Sequence, residues 1–300
     1  MAGSPVLTAS FPALLKQTLD EIFTDSAGGE LFWPKLFEES TSTEAYIDDQ
    51  EIAGLGVMPE RNEGSVMSAA DAPKQGYTTR YTQKYFAARV IVTEQMKVYN
   101  QYEKAMNMTA LLGAAAKKTQ EYEGAAVFSR AFNTDFAGGD TLPLVSASHR
   151  LAKGGTFSNI LATAASLSEI SLETLYVQAR KMVGPNGLRH GYKVDKLIIP
   201  SDLMFRAERL IKSDKQADTA NNAINAIGRK GIRIIDNPFF TSTTAWWVGT
   251  DAKLGLRWIW TKKPTFKETS VPNAESTEFT GSQWFTDGWT DPRCVIGVNI

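Results

Sequence analysis

EQMKVYNQYEKAMNMTALLGAAAKKTQEYEGAAVFSRAF, running from Glu94 to Phe132, is the stretch on which the reading of the fold turns. Val98, Tyr102, Ala105, Met108, Leu112, Ala115, Thr119, Tyr122 and Ala126 follow one another in steps of three or four, so they share one stripe of an α-helix. Thr93 stands before it as an N-cap. At 1.5 Å per residue such a helix spans roughly 58 Å, well beyond the usual 11 or 12 residues. It reads as a strut, with Gly113 marking a bend. A methionine and aromatic stripe at this spacing is core material rather than a cofactor box.

On the N-terminal side of the strut lies a long excursion, residues 42–92. An extended arm near Glu44 to Leu55 leads to a turn-rich tip from Pro59 to Gly76, and a strand, Tyr77 to Phe86, returns. The return strand is dense in β-branched and aromatic residues, yet neither of its alternating faces is cleanly apolar. A two-stranded hairpin of this kind is marginal in water by itself. Either a larger sheet supports it at an edge or a partner surface covers it. Before it, Ser10 and Pro12 open a short amphipathic helix over residues 10–24, with Leu14, Leu15, Leu19, Ile22 and Phe23 on one face and Gly28 and Gly29 at its end. Leu31, Phe32, Trp33, Leu36 and Phe37 then form an aromatic anchor too short to own a core, so it packs elsewhere.

Beyond the strut, helices are predicted over Ser171 to Met182 and over Asp202 to Lys212 behind Ser201, with strands at Lys196 to Ile199 and Gly231 to Ile235. Asp214 to Asn222 is a polar loop. Strands are expected at 245–248, 256–261, 265–268, 283–285 and 295–300. The alternation after residue 170 indicates a mixed α/β body.

Composition bounds the rest. With 43% hydrophobic and 22% charged residues in 300, a folded chain with a sizeable core is expected. No apolar run approaches the roughly 20 residues that cross a bilayer, and the first eleven residues carry no secretory pattern. Cys294 is the single cysteine, which rules out an internal disulfide and any multi-cysteine metal cluster. The net charge of −1 conceals a gradient: residues 1–63 carry −9, residues 64–149 +2, residues 150–215 +5 and the remainder +1. An acidic N-terminal arm suits a more basic surface, of its own body or of another copy. No basic cluster is denser than Arg229 to Arg233, so sequence-specific nucleic-acid binding is not expected.

Catalytic patterns are thin. No Gly-Lys dipeptide exists, so no Walker loop can be written, and Pro59 occupies the third-glycine position of the pattern begun by Gly54 and Gly56. His149 and His190 are too few for a zincin helix, and Asp48 and Asp49 point to opposite faces of a strand. Ser146 and Ser148 beside His149 are the best case for a serine hydrolase, but no nucleophile elbow holds either serine. A histidine that fastens a loop against the strut is the simpler reading. No catalytic, cofactor or metal site is therefore expected.

Leu142, Pro143, Leu144, Val145, Ser146, Ala147, Ser148 and His149, followed by Gly154, Gly155 and Asn159, resemble the Leu-Phe-Ser-x-x-His loop of Mu-like phage major head subunits, with Val145 where that family often has Phe. The order of elements over nearly the whole chain resembles the HK97 capsid fold. That resemblance implies an α+β chain: N-terminal arm 1–41, extended β-hairpin loop 42–92, peripheral domain 93–164 and 263–300 with the spine helix, and axial domain 165–262 with 214–222 as its tip loop. It implies a major capsid protein that forms pentamers and hexamers of an icosahedral shell, or else the related shell of a nanocompartment. Inter-subunit contacts would fall at Phe32, Trp33, Phe37, Arg61, Lys74, Tyr81, Lys84, Asp214 and Lys215, with Lys74 or Lys84 as donors for any isopeptide lock. A separate scaffolding protein or prior cleavage, a portal and decoration proteins would be partners. Double-stranded DNA would be enclosed without sequence readout, in a virion assembled in the bacterial host cytoplasm.

Overall fold

The structure is a computed structural model that describes residues 11–28, 30–58, 60–64, 73–93, 95, 99, 102–213, 224–271 and 275–300, with side chains described from residue 18 in the first of these segments and from residue 106 in the long one. Among the described residues, two four-stranded sheets and four α-helices make the body. In the first sheet β1 (Glu38–Thr41) lies parallel to β10 (Leu256–Val271), β10 forms a long antiparallel hairpin with β11 (Ser276–Trp289), and β4 (Lys84–Thr93) closes the far side. The second sheet has the order β12 (Val295–Val298), β9 (Trp246–Thr250), β7 (Val194–Pro200), β8 (Arg233–Asn237). Apart from both stands a hairpin of β2 (Tyr46–Ala53) and β3 (Lys74–Thr82). A further small pair joins β5 (His149–Arg150) to β6 (Thr156–Phe157).

Helix α1 (Phe11–Ala27) and the long helix α2 (Tyr102–Ser129) cover one face of the first sheet. Between them and the sheet lie Leu19, Phe23, Leu112, Val92 and Phe279. The described part of the strut, 28 residues, is about 42 Å long. Its buried side differs from the expected stripe: Thr109, Leu112, Gln120, Glu121, Ala125 and Phe128 face inward, while Ala115 and Tyr122 face out. Polar and small residues occupy the contact face because they have specific partners there. Gln120 links the Trp33 indole N–H to Gln283, and Glu121 accepts the Phe32 amide at 2.7 Å.

Gly113 is a close-approach residue. A Cβ at Gly113 would lie 2.6 Å from the Phe23 carbonyl oxygen and 2.8 Å from the Ser26 Cβ, both on α1. Helix propensity alone favours alanine by about 1 kcal/mol, whereas overpacking costs roughly 1–3 kcal/mol. Gly113→Ala is therefore expected to lower the urea midpoint, and a raised midpoint would refute the contact.

The central core is aromatic. Trp33 stacks on Trp258 at 4.1 Å, Trp258 stacks on Phe285 at 4.4 Å, and Phe37, Phe128, Trp247 and Trp260 close around them. The anchor read in the sequence thus finds its core within its own chain. A second core, Leu172, Leu175, Leu197, Ile199, Trp246 and Ile296, lies under α3 (Glu169–Lys181) and α4 (Met204–Lys212). Helix α3 starts with a capping box between Ser168 and Ser171. Ser201 opens a 3-10 turn leading into α4 and caps nothing through its side chain.

Several expected boundaries shift. The return strand breaks at Gln83, so Tyr77–Thr82 belongs to the hairpin and Lys84–Phe86 to the first sheet. β10 runs uninterrupted across residue 262, with bulges between Trp260 and Thr265, because β11 supplies partners along its whole length. β12 pairs with β9 inside the second sheet, so the end of the chain does not stay with the first. Residues 94, 96–98, 100 and 101, and with them the start of the expected strut, fall outside the described residues, as do Ser10, half of the expected tip (59 and 65–72) and the loop 214–222.

Candidate inter-subunit surface and its buried anchor

The hairpin has two unlike faces. Strand alternation turns Ile47, Asp49, Glu51 and Ala53 with Tyr77, Thr79 and Tyr81 toward the body, and Tyr46, Asp48, Gln50 and Ile52 with Thr78, Arg80 and Thr82 outward. The inward face is polar because charged groups from distant parts of the chain meet it. Arg293 is wholly buried, and its Nη1 donates to Glu51 Oε1 at 2.7 Å and to Asp291 Oδ1 at 2.9 Å. Its Nε donates to the Val183 carbonyl, and the guanidinium lies over the Phe157 ring at 4.1 Å. A second arginine, Arg257, pairs with Asp49, whose carboxylate also accepts the Thr290 hydroxyl at 3.1 Å. Tyr81 hydroxyl and Thr290 hydroxyl are 2.7 Å apart.

Burial pushes the Glu51 carboxyl above its ordinary value, with Arg293 opposing the shift, and does the same to Asp291. Tyr77 and Tyr81 phenols are likewise driven up by burial. Gly76 matters here because a Cβ at that position would sit 2.4 Å from Glu51 Oε2. The hairpin is thus fastened to its own body along one face.

Its other face is open. Ile52 is 62% exposed, Val57 81% and Met58 88%, and Tyr46 and Leu55 are half exposed. Arg80 pairs with Asp48 on this outer face and covers the Tyr46 ring at 4.4 Å. Beyond β2 the chain is tied to the second body, the second sheet with α3 and α4, where Asn186 Nδ2 in the turn after α3 donates to the Leu55 carbonyl at 3.2 Å.

The expected contact residues fall into three groups. Trp33 and Phe37 are buried in their own core, and Phe32 is half-buried with its ring edge-on to Phe239 at 6.3 Å. Trp33 and Phe37 are thus covered within their own chain, by the first sheet and α2. Tyr81 is also buried, turned toward Thr290. Arg61 and Lys74 are exposed at the far end of the hairpin. Lys84 is held inside its subunit by Glu123 at 3.0 Å and Asp287 at 3.5 Å. Asp214 and Lys215 fall outside the described residues. Asp49, Glu51, Arg257 and Arg293 were not anticipated; their partners lie more than 200 positions apart in sequence, and the hint was the acidic alternation of β2 facing a strand of Tyr and Thr.

Asp287 has a titration of its own. Burial raises its carboxyl to about 6, against the lowering effect of Lys84. The folded chain therefore retains a proton that the unfolded chain releases, so this group's stabilisation is present below about pH 4 and is lost as pH rises to about 6. Asp287→Asn is expected to raise stability at pH 8 by about 2–3 kcal/mol and to flatten the wild-type decline between pH 4 and 6. Urea midpoints at both ends of that range decide it; an Asn variant no more stable at pH 8 would refute it.

The Ser-His stretch is structural. His149 is fully buried, its Nδ1 is 2.5 Å from Asp140 Oδ2, and its ring stacks on Phe157 at 5.1 Å. Among the described hydrogen bonds neither the Ser146 nor the Ser148 hydroxyl reaches that ring, and Ser146 Oγ instead accepts the Ser148 amide. Asn159 fastens the same loop: its Nδ2 donates to the Leu144, Pro292 and Val295 carbonyls and its Oδ1 accepts the Ser146 amide. Among the described residues no group of three or more His, Cys, Asp or Glu could hold a metal ion. No described helix is long and apolar enough to cross a membrane.

A two-sheet body, a long strut helix and a projecting hairpin with one face fastened and the other open define a shell-building subunit of the HK97 type. Residues 76–298 match the family described as phage capsid protein. The chain belongs to that family and is a structural subunit of a phage head. Solved structures share the fold at low identity. The virus-like particle from Pyrococcus furiosus is 10% identical with a TM-score of 0.55, covering 94% of this chain and 98% of the other. The capsid of an empty GTA particle is 11% identical with a TM-score of 0.57, over 89% and 90%. The procapsid of bacteriophage JBD30 is 12% identical with a TM-score of 0.55, over 98% and 76%. No curated protein matches the sequence.

Proposed function

We propose that this chain is the major subunit of an icosahedral head, closing pentamers and hexamers around double-stranded DNA, and that the outer face and far end of its hairpin make the contact between neighbouring copies. The observation that carries this reading is Ile52 on the outer face of β2 together with Leu55, Val57 and Met58 in the stretch that follows it, apolar and open to solvent beside a hairpin whose opposite face is occupied by its own body. Contiguous exposed apolar surface of this kind marks an association site. Arg61 and Lys74 lie at the same end and are the retained candidates for that contact. The second sheet with α3 and α4 is the candidate axial domain, and the first sheet with α1 and α2 the candidate peripheral domain. The loop at 142–159, which resembles the Mu-like one, acts by fastening to β12 through Asn159, with His149 holding Asp140 at its start, rather than by catalysis. A separate scaffold, a portal and decoration proteins are the remaining partners, with assembly in the bacterial cytoplasm.

Negative-stain microscopy tests the reading directly. Purified wild-type chain is expected to give closed or open shells, and Val57→Asp combined with Met58→Asp is expected to give none while leaving the unfolding free energy from urea titration within about 0.5 kcal/mol of wild type, as surface changes do. Shells of normal yield from the double variant would overturn the contact. DNA content of particles separates a head from a compartment that encloses protein.

A further inference from the structure

Asn186 is followed by Gly187, the one Asn-Gly pair in the 300 residues. The chemistry of that pair is intramolecular: the backbone nitrogen of Gly187, once it loses its proton, attacks Cγ of Asn186. A new N–C bond closes a five-membered succinimide, the Cγ–Nδ2 bond breaks and ammonia leaves with a proton from water. Water then opens the ring at either carbonyl, giving aspartate or isoaspartate at 186. Atoms balance with water as the only co-reactant.

Three features place this reaction at a point of consequence. Asn186 Oδ1 accepts the Leu188 amide at 3.1 Å, so a backbone N–H already points at the oxygen on which negative charge develops during attack at Cγ. Gly187 is exposed, has φ +79°, and has open space where a side chain would stand, so nothing crowds ring closure. Asn186 Nδ2, the leaving nitrogen, is the donor that ties this turn to the hairpin through the Leu55 carbonyl. One brake acts in the other direction: the Gly187 N–H donates to the Gly184 carbonyl at 2.9 Å and must release it before reacting.

We propose that Asn186 is a self-deamidation site whose conversion removes the tie between the second body and the hairpin at Leu55. A carboxylate at 186 offers no donor to the Leu55 carbonyl and sets charge against its oxygen. The isoaspartate product also inserts a methylene into the main chain of a turn that closes from Gly184 to Leu188 through the Gly184 amide. The far end of β2 and the exposed row that follows it then lose that tie, while β3 and the Arg293–Glu51 pair still hold β2 itself.

The test uses the full-length chain, as purified and after incubation at mildly alkaline pH. Peptide mapping with isoaspartate detection is expected to show Asn186 converting faster than every other asparagine, with isoaspartate exceeding aspartate. Asn186→Gln should abolish the change in that peptide. Hydrogen exchange of the 52–58 amides is expected to rise severalfold in the converted fraction and in Asn186→Asp, and to stay at the wild-type level in unconverted protein. If Asn186 keeps its amide while other asparagines convert, the site is wrong. If Asn186→Asp leaves exchange at 52–58 unchanged, the tie is wrong even where deamidation occurs.

Discussion

Replacing Arg293 with alanine is expected to destabilise the chain by about 3–5 kcal/mol, the range seen when one member of a buried ion pair is removed. The guanidinium is the only group shown donating to Glu51, and it satisfies Asp291, the Val183 carbonyl and the Phe157 ring face as well. Without it two largely buried carboxyls, Glu51 and Asp291, lose the counter-ion they share. Glu51→Gln should be far milder, about 1 kcal/mol, because burial already favours the neutral form of that carboxyl and the amide keeps a carbonyl for Arg293 to donate to. Urea unfolding of both variants tests the asymmetry; equal losses would mean that Arg293 matters for its packing and not for its charge. Hydrogen exchange on Arg293→Ala should also localise the loss, with amides of β2 and β3 exposed before those of the central core.

Trp258→Ala is the second large effect, expected at about 3–5 kcal/mol. The indole is fully buried between Trp33 and Phe285 in a continuous stack and meets Phe37 and Trp260 edge-on. Removing it opens a cavity at the meeting point of the N-terminal anchor, the strut and the first sheet, and Trp33, held by Gln120, has little freedom to fill it. Trp258→Phe should recover more than half of the loss, since it restores most of the area and one stacking partner. A loss below about 1 kcal/mol for Trp258→Ala would show that the anchor is dispensable to the core.

How much of this was legible in the sequence depends on the range of the interactions. Helices α1, α3 and α4 and the strands of the second sheet follow from local periodicity, and the structure has them within a few residues; of the strut, the described residues show Tyr102–Ser129. The inward side of the strut did not follow, because Gly113, Gln120 and Glu121 are selected by close approach and by partners on α1, Trp33 and Phe32, none of which a hydrophobic stripe can register. The aromatic anchor was recognised as needing cover, but the cover proved to be Trp258 of the same chain. The hairpin's extended form was readable, while its fastening was not: Asp49 and Glu51 look like solvent-facing acids until Arg257 and Arg293 are placed beside them. Val57 and Met58 sit in a stretch that reads as a loop, and only their exposure beside a fastened hairpin marks them.

The dependence of β2 on residues so far downstream also sets a schedule for biosynthesis. Glu51 meets its counter-ion 242 positions later and Asp49 meets its own 208 positions later. At translation speeds of 5–20 residues per second, about 10–50 seconds separate the emergence of the acids from that of the arginines. Throughout that interval neighbouring nascent chains on one messenger carry hairpins whose inner faces have nothing to rest on. Under the contact proposed above, a copy presents a fastened hairpin to others only after its own ribosome has nearly finished.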